Sequence, residues 1–214
     1  VDKDNNLALR AGSTIAEINC ESYKLAIEKV PLGKAIGFMP YDTSDGLSEV
    51  KWQSHYAYFL GLFKSSPIFE SRNLDLRGAF VNEVTPGNAK WIKNFQTGLN
   101  NIPRLVVSGS DAHRFTGVKG DNDKRGYGDF PSGKATWIKA DPTFRGLLQA
   151  IMEPAKRSYI GEQPHKLTEI AENKTYFIDT VEVEKSPDST CAGAWLTGMK
   201  LPLNSDLVAI IGNK

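Results

Sequence analysis

Apolar residues along this 214-residue chain recur with two different periods, and the change from one to the other marks out the elements. Over residues 1–32, Ile15, Ile18, Leu25, Ala26 and Val30 fall at near-helical spacing. That predicts mainly helix, with Ser22 capping a second segment that Pro31 stops. Residues 34–42 (KAIGFMPYD) read as a strand that leaves into the turn residues Thr43, Ser44, Asp45 and Gly46. Trp52, His55, Tyr56, Phe59, Leu60 and Phe63 then form an aromatic stripe along a helix over residues 49–63, the pattern of a core-facing surface. A lone histidine on such a face, as His55 is, is ordinarily a satisfied core residue.

Residues 67–70 and 78–84 read as strands separated by the charged segment 71–77. Pro86 and Gly87 break the chain, and Asn88 is placed to cap a helix whose Trp91, Ile92, Phe95 and Leu99 share one face, before residues 100–103 end it. Leu105, Val106 and Val107 follow as a short buried strand, and residues 135–139 as another. A helix with Asp141 as its cap and Pro142 in its first turn runs through Phe144, Leu147, Leu148 and Ile151 to Pro154, and residues 159–161 are extended. This alternation from residue 34 to 161 predicts an α/β fold, read as the latter part of a barrel-like sheet. The character changes near Thr168: residues 176–184 (YFIDTVEVE) alternate as a half-buried strand does, and an apolar run from Asp206 reaches Gly212. The predicted domains are residues 1–165 and 166–214.

Composition adds exclusions. With 40% hydrophobic and 24% charged residues the chain has the make-up of a soluble globular protein. A net charge of +1 argues against a strongly cationic nucleic-acid surface while leaving room for a local basic patch. No apolar run approaches membrane-spanning length, and the first residues lack the cationic and apolar series of a signal peptide. Cys20 and Cys191 lie far apart and form no CxxC pair, which fits a reducing cytoplasm; Cys20 reads as a buried, inert thiol. A first residue Val1 in place of Met points to a piece of a longer protein.

The candidate chemistry gathers after the 105–107 strand, in Ser108-Gly109-Ser110-Asp111-Ala112-His113. A strand that stops at such a loop delivers Asp111 and His113 to a sheet edge, where a carboxylate and an imidazole can converge on Zn, Mn or Fe. The plainer alternative is that Asp111 caps a turn and His113 pairs with it. Glu70 and Glu83, both at predicted strand ends, approach a metal or else face solvent or a cation. Residues 114–133 form a long polar loop of the kind that serves as a lid or binding loop, with Lys119, Lys124 and Arg125 as candidate contacts to phosphate or nucleic acid. A calcium loop at Asp121-Asn122-Asp123 is excluded, because Arg125 and Ser132 stand where oxygen ligands are required.

The run Ser108 to His113 resembles the last motif of PHP domains, the polymerase and histidinol phosphatase family of metal-dependent phosphoesterases. The resemblance implies that Asp111 and His113 are metal ligands at a catalytic site. The opening His-x-His and the intermediate His and Glu ligands of that family do not appear, and His55, His113 and His165 are the only histidines. The missing ligands then lie upstream of Val1, or the domain is a degenerate member serving as a binding or regulatory platform. At the other end, an apolar run into Gly212-Asn213-Lys214 is how a P-loop begins, although a plain core strand has the same pattern. With the strands before it, this piece is similar to the N-terminal edge of an SMC or ABC ATPase domain. That likeness implies nucleotide contact at Gly212, Asn213 and Lys214, and ATP with Mg as cofactors. The two resemblances together are similar to TrlF-type DNA repair ATPases. They imply DNA as a partner, a homodimer through the ATPase part, no membrane, and little activity in this piece alone.

Overall fold

The computed structural model describes residues 5–15, 18–30, 34–43, 46–51, 54–110, 112, 114–121, 125–127, 129–130, 135–188, 190 and 198–203. Their contacts divide the chain into two units, residues 1–162 and 163–214.

The first unit is organised by a three-stranded parallel sheet, β1 (Phe38–Pro40), β2 (Ile68–Glu70) and β3 (Leu105–Val107), in the order β1-β2-β3. Its register aligns Phe38, Ile68 and Leu105 at one end and Pro40, Glu70 and Val107 at the other. Alternation along the strands sorts side chains to the two faces. Phe69 and Val106 join a cluster with Phe59, Leu62, Phe63, Phe80 and Leu99, supplied by α3 (Tyr56–Ser65), α4 (Leu74–Phe80) and the end of α5 (Ile92–Gly98). Ile68 and Leu105 face the other way, onto Ala150, Leu147 and Ile151 of α6 (Phe144–Met152). Both faces of β2 and β3 are therefore covered, as parallel strands require. Phe69, Leu105 and Val106 are fully buried, each worth about 1.5–3 kcal/mol in apolar transfer.

The first cluster is held by rings at 4.7–6.3 Å, with Tyr41 edge-on to Phe80 at 5.2 Å and Phe69 stacked on Phe80 at 4.7 Å. A two-stranded antiparallel sheet, β4 (Thr136–Ile138) and β5 (Ser158–Ile160), lies beyond β3, with α7 (Pro154–Arg157) packed on β3 and β5. Ahead of the sheet come α1 (Asn5–Ile15) and α2 (Cys20–Lys29). The second unit contains α8 (His165–Glu172) and the antiparallel pair β6 (Thr180–Val183) and β7 (Met199–Pro202), bridged by Lys200 and Glu182. The fold is thus mixed α/β with small sheets, and the described residues form no closed barrel. Among them, no helix is long and apolar enough to cross a membrane.

Several local expectations are corrected. Residues 78–84 are no strand: Gly78, Ala79 and Phe80 are the buried end of α4, which starts because Asn73 accepts hydrogen bonds from the Asp75 and Leu76 N–H groups at 2.9 and 3.3 Å. Asn19, not Ser22, caps α2, accepting from the Ser22 N–H at 2.8 Å. Thr143, not Asp141, caps α6 through the Gly146 N–H at 3.1 Å. Asn88 caps nothing; it is fully buried and ties the turn before α5 together, accepting from Thr85 N–H and donating to the Asp75 and Glu83 carbonyls. The aromatic helix starts only at Tyr56, and His55 stands exposed at its N-terminus, outside the core. Cys20 is half-buried, and Ile18, counted in the helical spacing, lies ahead of α2 and is 80% exposed.

Candidate functional site

Parallel strands bring their carboxyl ends to one edge. Here that edge carries Tyr41 and Asp42 after β1, Glu70 and Ser71 at the end of β2, and Ser108 to Ser110 after β3. The backbone ties these exits together. The Tyr41 N–H donates to the Glu70 carbonyl at 3.0 Å, and the Ser71 N–H donates to the Val107 carbonyl at 2.9 Å. Ser71 is buried, and its hydroxyl oxygen accepts from the Asn73 N–H at 3.0 Å, which turns the chain from β2 into α4. Ser108 is buried as well. Its N–H donates to Thr136 Oγ1 at 2.7 Å and the two hydroxyls lie 2.9 Å apart, so the first residue of the motif loop is anchored to β4. The loop leaving β3 therefore has a fixed starting point.

The predicted ligands fare differently. Asp111 and His113 lie outside the described residues, though Ser110 and Ala112 beside them are half-buried. The two glutamates are told apart. Glu83 is exposed and holds Arg77 Nη1 at 2.9 Å, while Arg77 Nη2 reaches the Ser158 carbonyl at 2.8 Å; Glu83 belongs to a strut between α4 and β5. Glu70 is half-buried and ends the central strand in register with Val107, four residues before Asp111. Among the described residues its carboxylate makes no hydrogen bond and no ion pair. His55 and His165 are exposed at helix starts. Among the described residues, no three His, Cys, Asp or Glu side chains are gathered in a way that would hold a metal. The described donors at this edge, Asp42 and Glu70, are carboxylates, which ligate Zn and Mn.

Lys124, Gly212, Asn213 and Lys214 also lie outside the described residues. Lys119 and Arg125 are brought together. They line one open cleft of about 510 Å³ in the loop after the motif, with Lys119 exposed and Arg125 half-buried. The loop is fastened at its base: the Tyr127 N–H donates to the Arg114 carbonyl at 3.2 Å, and the Gly126 N–H to Asp129 Oδ2 at 2.7 Å. Phe115 and Tyr127 meet edge to face at 5.3 Å, both largely exposed.

The sequence pattern places Trp91 and Phe95 on one helix face and singles out neither Tyr41 nor Asn94. These four border a second cleft beside the same sheet edge. The signal available was the pair Trp91 and Phe95, one turn apart, with the polar Asn94 beside their face. Burial also shapes Tyr41: with Asp42 next to it as a lesser cause, desolvation pushes its hydroxyl up to about 12. Comparison of the chain with family models, with characterised proteins and with solved structures finds no match.

Proposed function

We propose that the first unit is the later part of a PHP-like, metal-dependent phosphoesterase domain, and that the second leads into an ATPase domain of the SMC or ABC type in a DNA repair protein. One observation carries the catalytic half of this reading. The Ser108 to His113 motif begins where β3 ends, on the edge where Glu70 leaves the adjacent parallel strand. Sites of α/β sheets sit outside the carboxyl ends of their strands.

In this reading Asp111, His113 and Glu70 hold a divalent ion, Zn, Mn or Fe. When bound, the ion supplies an acidified water and neutralises charge building on the phosphoester. Ser108, fixed to Thr136, sets where the ligand loop starts. Ser71, fixed between β3 and α4, sets the direction in which the chain leaves Glu70. Lys119 and Arg125, in the cleft of the following loop, neutralise substrate phosphate or nucleic-acid backbone. The antiparallel β6–β7 pair supports the ATPase half, with Gly212, Asn213 and Lys214 opening a loop for ATP and Mg.

Hydrolysis of bis(p-nitrophenyl) phosphate by the full-length protein, with Mn²⁺ or Zn²⁺ added, tests the catalytic reading. Asp111→Ala and Glu70→Gln each reduce the metal-dependent rate by about two orders of magnitude, the scale of losing a group that stabilises developing charge; an unchanged rate in both removes the role. The competing reading is a platform domain without chemistry. The exposure of two of the three histidines, His55 and His165, favours it, since a ligand imidazole is ordinarily held in place by a partner to its second ring nitrogen. Full ATP turnover in the Asp111→Ala protein, with no phosphoesterase in either form, is its signature.

A further inference from the structure

A cleft of about 390 Å³ opens beside the carboxyl edge of the sheet, within the 300–1,000 Å³ that small-molecule pockets occupy. Its lining grades from inside to outside. Leu47 and Phe59 are buried, Tyr41, Trp91 and Phe95 are half-buried, and Asn94 is exposed. Two of the rings stand steeply to the third: Trp91 meets Phe95 at 5.7 Å and 83°, and Tyr41 meets Phe95 at 6.2 Å and 87°. Edge-to-face packing on Phe95 leaves the half-buried Trp91 ring a surface for a further aromatic group. Among the described residues, no Asp, Glu, Lys, Arg or His lines the cleft. A charged group entering here would lose water against mostly apolar walls. At the rim, the Asn94 amide offers one acceptor and two N–H donors, the complement of a heteroaromatic edge.

The cleft's position is equally specific. Tyr41 is its link to the candidate site, through the 3.0 Å hydrogen bond from its N–H to the Glu70 carbonyl. The turn after β1 folds back on the same residue. The Ser48 N–H donates to the Tyr41 carbonyl at 2.8 Å, and Gly46 packs against that carbonyl where a Cβ would have no room.

We propose that this cleft binds an uncharged planar heteroaromatic ring, the base of a nucleotide whose phosphate faces the sheet edge. That the ring is a nucleobase rests on the phosphoesterase reading. The experiment therefore uses a nucleoside, with no phosphate and no metal, so that failure of catalysis and failure of this site are separable. Adenosine is titrated into the ¹⁵N-labelled full chain and followed by chemical-shift changes, with cyclohexanol as the aliphatic comparison. Adenosine binds saturably and shifts the Asn94 side-chain resonances. Asn94→Ala and Trp91→Ala each weaken binding about tenfold, the loss of one stacking or edge contact. Trp91→Phe, which keeps a ring, retains most of it, and Phe115→Ala in the other cleft changes nothing. Asn94 is exposed, so its replacement leaves the fold intact even if Trp91→Ala does not. Absence of saturable binding in the millimolar range overturns the proposal. So does affinity untouched by Asn94→Ala, or cyclohexanol binding as tightly as adenosine.

Discussion

Two buried side-chain amides in the first unit have opposite fates. Asn88 is fully buried and makes three hydrogen bonds through its side chain, to Thr85, Asp75 and Glu83. Gln96 is 5% exposed, and among the described residues neither its Oε1 nor its Nε2 has a partner. An unmet buried amide costs about 1–3 kcal/mol of desolvation, whereas an apolar side chain of similar size costs none. Gln96→Leu is therefore expected to raise stability by about 1–3 kcal/mol, read as a higher urea midpoint at unchanged slope. A lower midpoint would mean that the amide has a partner such as a buried water. Sequence pattern exposes neither case, because a Gln at the i+4 position from Ile92 looks the same whether or not its amide is satisfied.

Among elements, Arg104 does more than its place before β3 advertises. Its backbone N–H donates to the Phe80 carbonyl at 2.9 Å, at the end of α4, and its Nε donates to the Phe63 carbonyl at 3.2 Å, in the last turn of α3. Two helix C-termini, each with carbonyls that lack helical partners, are closed by one residue. The cation also sits at the negative end of the α3 dipole. Burial lowers the pKa of the guanidinium, with Nη1 shared between the Ile102 and Pro103 carbonyls. Arg104→Ala keeps the backbone bond to Phe80 but leaves the Phe63 carbonyl buried and unmet, at a cost of about 1–3 kcal/mol in chemical denaturation. Arg104→Lys recovers only part, because a single ammonium cannot match the fork. Equal stability of all three proteins would contradict this role. The same scale holds the clearest misreading. Residues 78–84 have strand composition, but Asn73 at the N-cap commits Gly78, Ala79 and Phe80 to α4, and capping outweighs a short run of β-formers. The caps of α2 and α6 were each placed on a plausible neighbour, since Asn19 and Ser22, or Asp141 and Thr143, satisfy the same rule on paper.

For the whole molecule, β1, β2, β3, β4 and β5 were legible as apolar runs bounded by turn residues, and with them the α/β class. Strand order and register were not, because they depend on which helices cover which face; Ile68 and Phe69 are equally apolar in sequence yet serve opposite cores. Register is also what separates Glu70 from Glu83. One ends the central strand beside the motif-bearing one, the other is spent on Arg77. The account therefore turns on whether the carboxyl edge of the sheet holds a divalent ion. Mn²⁺ uptake followed by electron paramagnetic resonance measures this directly. The account predicts saturable binding that weakens about tenfold or more in Glu70→Gln, Asp111→Asn and His113→Ala, a loss of about 1.4 kcal/mol each, while Glu83→Gln binds as the parent does. Binding that is absent, or that is indifferent to all four substitutions, would contradict it.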